Sequence, residues 1–178
     1  MDVNLDRYAG LPDDAATWAG RRALLLDQLA WLLNEAEALG PLLADLPAWA
    51  LEGAPLPGER SVKETLADLA ALDRTVHRPR LERLAAEEAP TFETPGGPAS
   101  EGANDQPLDV LLEDLRAART ALLNAFRAVP EADWHRSAML DGTPVTLFDL
   151  ALRIARNDAD QLRDLAYRLH GSQLSERS

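Results

Sequence analysis

Asn157 and Gln161 stand four residues apart in the segment TLFDLALRIARNDADQLRDL, the spacing by which one helix presents two side chains to a common point, as in His-x-x-x-His metal sites. At about 100° per residue, Leu147, Leu150, Ile154, Asp158, Leu162, Leu165 and Leu169 share one stripe, and Asn157 and Gln161 fall on the side of Leu150 and Ile154. Two carboxamides therefore point toward the core, where a carboxamide without partners costs about 1–3 kcal/mol. Asp68 lies at the edge of a second apolar stripe, near Thr65 and Leu72, and can meet the same point from a facing helix. These three residues are the candidate site. One carboxylate and two neutral oxygens make a hard, weakly charged donor set, closer to the needs of Mg or Ca than of Zn, Ni or Fe. Even those ions call for more anionic or more numerous oxygens, so tight metal binding is not expected, and no organic cofactor is. A weakly bound divalent metal stays open as the alternative. Without metal, the Asp68 carboxylate can accept from both amides, directly or through a water, in a closed polar network that ties the two helices together. In a third reading the space binds a small polar ligand without chemistry.

Other chemistry-bearing residues receive plainer readings. Asp73 and His77 are four apart and could form a carboxylate-oriented base, but are read as a solvated salt bridge at a helix edge. His135, beside Trp134, reads as an exposed loop residue, and His170 as a complement to a helix dipole. Trp18, Trp31, Trp49 and Trp134 read as core or interface anchors, because no basic groove accompanies them. The arginines, among them Arg116 and Arg119, read as salt-bridged helix faces.

Four helices must position these groups. The first is expected over 13–39, with Asp13 or Asp14 as N-cap and Gly40-Pro41 as the stop. The Pro-rich connection that follows has room for a turn or two of helix at 42–46. Ser61-Val62-Lys63-Glu64 fits a capping box and opens the second helix, 61–88, which Pro79 kinks or brings to its end. Residues 90–106, PTFETPGGPASEGANDQ, cannot propagate a helix and form either a crossover or a lid over the mouth of the site. The third helix, 107–129, places Pro107 at its first position and keeps Leu108, Leu111, Leu115, Ala118, Leu122, Ala125 and Val129 on one face. Asp141-Gly142-Thr143-Pro144 marks a turn, and Thr146 with Asp149 caps the fourth helix, 146–170, before a frayed tail at 171–178. No period-2 segment is called a strand. The expectation is a single-domain, all-α four-helix bundle over 1–178, with the long connection between the second and third helices permitting an up-down-down-up order.

Composition narrows the partners. At 178 residues a chain can bury about two thirds of its unfolded surface, so neither metal nor disulfide is needed to hold the fold. The absence of Cys removes thiolate chemistry and Cys-based zinc sites. Thirty acidic residues against 18 basic ones give a net charge of −12, which disfavours nucleic acid and anionic membranes as partners. The N-terminus has no signal-peptide pattern and no apolar run approaches a membrane span, so a cytoplasmic protein is expected.

The stretch GERSVKETLADLA, with TLFDLALRIARNDADQLRDL, resembles the DinB/YfiT-like family of four-helix bundles over nearly the whole chain. The first matches the pattern Gly-Glu-Trp-Ser-Val-x-Glu-x-Leu-x-His-Leu, with Arg60 in place of the Trp, a departure that bears on packing or on the rim of the site. The resemblance implies three His metal ligands at the positions here held by Asp68, Asn157 and Gln161, and relatives with an intact triad include metal-dependent thiol transferases. It also implies a habit of homodimerisation, and a family name rooted in DNA-damage induction, which describes expression and not contact with DNA. With the triad replaced, the expected function is a non-catalytic or small-ligand-binding, stress-associated bundle. The alternatives are a divalent-metal-dependent transferase or hydrolase, and a homodimeric interaction module.

Overall fold

The computed structural model describes residues 14–54, 58–96 and 100–175. The first helix, α1 (Ala15–Ala44), starts where Asp14 accepts a hydrogen bond from the Thr17 amide at 2.8 Å; Asp13, the alternative cap, lies outside the described residues. It does not stop at Gly40-Pro41. Continuing for one more turn places Leu43 in the core with no exposed surface, and that burial outweighs the backbone bond lost at Pro41. A short α2 (Ala48–Glu52) follows, later than the 42–46 turn expected from the sequence.

The second long helix opens on the expected capping box. The Ser61 hydroxyl accepts from the Glu64 amide at 3.0 Å, and Glu64 accepts from the Ser61 amide at 2.7 Å. It runs as α3 (Val62–Leu72), a π-helical turn at Asp73–His77, and α4 (Arg78–Ala86). Pro79 therefore does not end this helix; it stands in the first turn of α4, directly after the π-helical turn. Proline has no amide to donate and its ring crowds the carbonyl four residues back. A turn widened by one residue just upstream, with the Arg78 amide donating to the Asp73 carbonyl, accommodates it.

The third helix, α5 (Leu108–Ala128), agrees with the sequence pattern, with Pro107 just outside it. The fourth, α6 (Leu147–Ser175), opens on a reciprocal Thr146–Asp149 cap. It extends through Ser175, so most of the segment expected to fray is helical, and 176–178 lie outside the described residues.

Three short strands correct the expectation of no β structure. β1 (Thr91–Phe92) pairs in parallel with β2 (Ser137–Leu140), which forms a hairpin with β3 (Thr143–Thr146). Asp141 and Gly142 both have positive φ, 50° and 77°, as a two-residue hairpin turn requires. The Asp141 carboxylate also accepts from the amide and hydroxyl of Thr94, at 2.8 and 2.5 Å, which ties the 90–106 connection to the hairpin.

Contacts fix the directions of the helices. Ser61 donates to Asn104 just before α5, and Arg74 pairs with Asp114 farther along, so α3–α4 and α5 run parallel. Leu43 of α1 and Leu165 of α6 pack near Val62 and Leu66, whereas Leu25 and Leu147 pack at the opposite end with Leu84, so α1 and α6 run the other way. The bundle is up-down-down-up. Its larger core lies at the sheet end, around Phe126, Trp134 and Phe148, and a smaller one at the α3 N-terminus. Among the described residues no helix is long and apolar enough to cross a membrane.

Candidate functional site

The start of α3 is a polar knot. Buried Lys63 donates to Glu52 at 2.7 Å and to the Asn104 carbonyl at 3.0 Å, and Arg168 of α6 donates to the Arg60 carbonyl at 2.5 Å. Asp68, one turn and a half into α3 and 3% exposed, is approached by the Arg60 guanidinium, with Nη1 at 2.5 Å from Oδ2. Arg60, immediately before the cap, thus supplies a cation to Asp68. The sequence assigned Arg60 to packing or to the rim; its contact with Asp68 is more direct than either.

The three candidate residues sit in different surroundings. Asp68 is buried and ion-paired, Gln161 is half-buried, and Asn157 is exposed along the wall of a separate cavity that neither of the others lines. Asn157 is therefore not directed into the core as its helical phase suggested. A divalent ion brought to this set would compete with Arg60 for its one formally charged member, and the other two bring no charge. Among the described residues no group of three His, Cys, Asp or Glu side chains is placed to hold a metal ion. The residues present do not fit the metal that the family resemblance implies.

The cavity has a volume of about 230 Å³ and opens between the π-helical turn, the first half of α6 and the 90–106 connection, which contributes Thr94 and Pro95. Most of its wall is apolar, including Val76, Phe126 and Ile154. His77 and Arg80 enter from one side and Arg153 and Asn157 from the other, each pair three or four residues apart on its helix and so on one face. His77 is pushed down to about 3, first by burial and then by the nearby Arg119 and Arg80 cations, so its ring is neutral at physiological pH. Arg80 donates to the Glu93 carbonyl at 2.5 Å and lies over the Phe92 ring.

Behind the cavity lies a charge cluster sealed in the core. Arg119 of α5 makes two hydrogen bonds to Asp158 of α6, Nη2 to Oδ1 at 3.1 Å and a closer one from Nη1 to Oδ2. Its Nε is also 2.7 Å from Asp73 of the π-helical turn. All three side chains are buried. The Asp73 contact is close but poorly aligned, so neither of its oxygens accepts a proper hydrogen bond, and burial raises its pKa to about 6 against the pull of Arg119 and Arg74. The solvated Asp73–His77 salt bridge expected from the sequence is not what forms: Asp73 is buried against Arg119, and His77 carries no charge. Arg119, grouped with surface arginines on sequence grounds, is 5% exposed.

The remaining candidates are peripheral. His135 is exposed as expected, with its ring edge-on to Trp18 at 4.2 Å. Trp134 is buried and Trp18 and Trp31 pack against the core, whereas Trp49 is 61% exposed. The His170 side chain lies outside the described residues.

Two parallel central helices joined by a return connection, flanked by antiparallel outer helices, define an up-down-down-up four-helix bundle. That architecture is similar to YfiT from Bacillus subtilis, described as a probable metal-dependent hydrolase with an unusual four-helix bundle topology. The two match with a TM-score of 0.71 over 89% of each chain, at 10% sequence identity. The likeness establishes a YfiT-like fold. No protein-family profile and no curated protein sequence matches the chain.

Proposed function

We propose that this chain is a DinB/YfiT-like bundle that binds a small molecule without a metal, in the cavity beside the π-helical turn. The observation that carries this reading is the convergence of four polar side chains from two facing helices on one otherwise apolar cavity. The Arg60–Asp68 pair supports the metal-free half of the reading, since it supplies internally a positive charge that a bound ion would otherwise bring. A π-helical turn inside a long helix is a recurrent mark of functional sites, and here it carries Val76 and His77 to the cavity wall.

A second reading, metal-dependent hydrolysis or group transfer, has the likeness to YfiT in its favour. It requires a donor set that the residues near Asp68 do not supply.

Benzyl alcohol, a neutral probe smaller than the cavity, separates these readings when followed by saturation-transfer NMR on protein treated with chelator. Saturable binding that Val76→Trp abolishes, by filling the cavity, is the expected result. Absence of binding, or binding untouched by Val76→Trp, contradicts the assignment of the cavity.

A further inference from the structure

The charge of the cavity runs opposite to that of the molecule. The chain has 30 acidic and 18 basic residues, yet among the described residues no Asp or Glu lines the cavity, whereas Arg80 and Arg153 both do. Arg153 is exposed at the opening and forms no salt bridge among the described residues. Arg80 is partly desolvated, which pulls its pKa below the usual arginine value against the attraction of Asp141, and among the described residues its hydrogen bond goes to the neutral Glu93 carbonyl and not to a carboxylate. Asp141 attracts both arginines at longer range, while its two oxygens accept hydrogen bonds from Thr94 and form no salt bridge with either among the described residues. Two guanidinium groups at the mouth of an apolar space, on a strongly acidic protein, make a local positive field that favours an anion there.

Resting on the ligand-binding reading above, we propose that the cavity takes a small organic carboxylate, with its apolar body between Val76, Phe126 and Ile154 and its carboxylate held by Arg153 and Arg80. Size agrees with this. An apolar cavity of about 150 Å³ in another protein accommodates benzene, so 230 Å³ holds a six-membered ring or a short alkyl chain with a carboxylate attached. The planar guanidinium fork matches the two oxygens of a carboxylate. Asn157, one turn from Arg153, adds an amide donor from the same helix face. His77, on the same cavity wall as Arg80, stays neutral and offers a hydrogen-bonding ring without adding charge, which suits a monoanion better than a phosphate dianion.

Calorimetric titration of the full chain with benzoate, benzyl alcohol and phenyl phosphate, near neutral pH and at low salt, tests the proposal. Benzoate is expected to bind about tenfold or more tightly than benzyl alcohol, the difference one charge-assisted contact supplies. Arg153→Gln is expected to lower benzoate affinity about tenfold and to narrow its advantage over benzyl alcohol, and added salt weakens benzoate more than benzyl alcohol. Arg153 is exposed and among the described residues makes no salt bridge, so the variant folds; Arg80→Gln, expected to weaken benzoate likewise, provides a second measurement. If benzyl alcohol binds and benzoate binds no better, the carboxylate assignment falls while the ligand-binding reading stands. Phenyl phosphate binding more tightly than benzoate, or Arg153→Gln without effect on benzoate, also overturns the assignment. If neither benzoate nor benzyl alcohol binds, both readings fail.

Discussion

Replacing Asp73 by Asn is expected to stabilise this protein at pH 7.5, although the substitution removes a member of a buried ion cluster. Asp73 is 1% exposed, accepts no well-aligned hydrogen bond, and shares Arg119 with an Asp158 that already binds it through two nitrogens. Its pKa is raised from 3.8 to about 6, so above pH 6 the ionised carboxylate is less favourable in the fold than in the unfolded chain by about 3 kcal/mol. That figure already includes the attraction of Arg119. The sign follows from proton uptake: between pH 3.8 and 6 the folded state holds the proton more firmly, so stability from this group is greatest at low pH and is lost as pH rises through 6. Asn imitates the protonated acid at every pH. Urea denaturation should show Asp73→Asn more stable than the parent by about 1–3 kcal/mol at pH 7.5, with the gap closing toward pH 4. Asp158→Asn is the opposite case, because it strands Arg119 in the core, and it should cost about 3–5 kcal/mol. If the two variants destabilise equally at pH 7.5, the assignment of Asp73 as the strained partner is wrong.

His77 carries the complementary prediction. Its pKa is lowered to about 3, so on acidification below pH 6.5 the unfolded chain takes up a proton that the fold refuses, and stability is lost. Between pH 6 and 4 Asp73 gains a proton in the fold as His77 gains one in the unfolded chain, and the two dependences offset one another. His77→Gln should therefore gain stability on acidification relative to the parent, by about 1 kcal/mol per pH unit, in urea titrations across that window. Ser61→Ala should cost about 1–2 kcal/mol by thermal or urea denaturation, because Ser61 caps α3 and also donates to Asn104 at 2.7 Å while fully buried. A cost below half a kcal/mol would mean that the knot at the α3 N-terminus adds nothing to the cap.

The bundle was legible in the sequence because its signals are local. Apolar spacing on α5, the Ser61–Glu64 box and the Thr146–Asp149 cap each depend on neighbours within one turn, and the length of the 90–106 connection sufficed for two parallel helices. Where tertiary burial outweighs local propensity, the reading was incomplete. Leu43 draws α1 past a Gly-Pro pair, and the Asp141-Gly142 hairpin, read as a turn, has strands too short to register as periodic. The site was less legible still. Asp158 was visible within the apolar stripe of α6, but its meaning depends on Arg119, which follows Leu111 and Leu115 at four-residue steps on α5 and reads as a surface arginine only if that phase is ignored. The π-helical turn shifts the phase of the second helix by one residue after Leu72, so regular α geometry misplaces His77 and Arg80, two of the residues that bring charge and hydrogen bonding to the cavity.

Zinc titration of chelator-treated protein, followed through the amide NMR signals of Asp68, Asn157 and Gln161, tests the account most directly. It predicts no saturable shift at equimolar zinc, with Arg60 remaining on Asp68. Stoichiometric binding that moves all three signals together would contradict it, placing a metal centre where the Arg60–Asp68 ion pair stands.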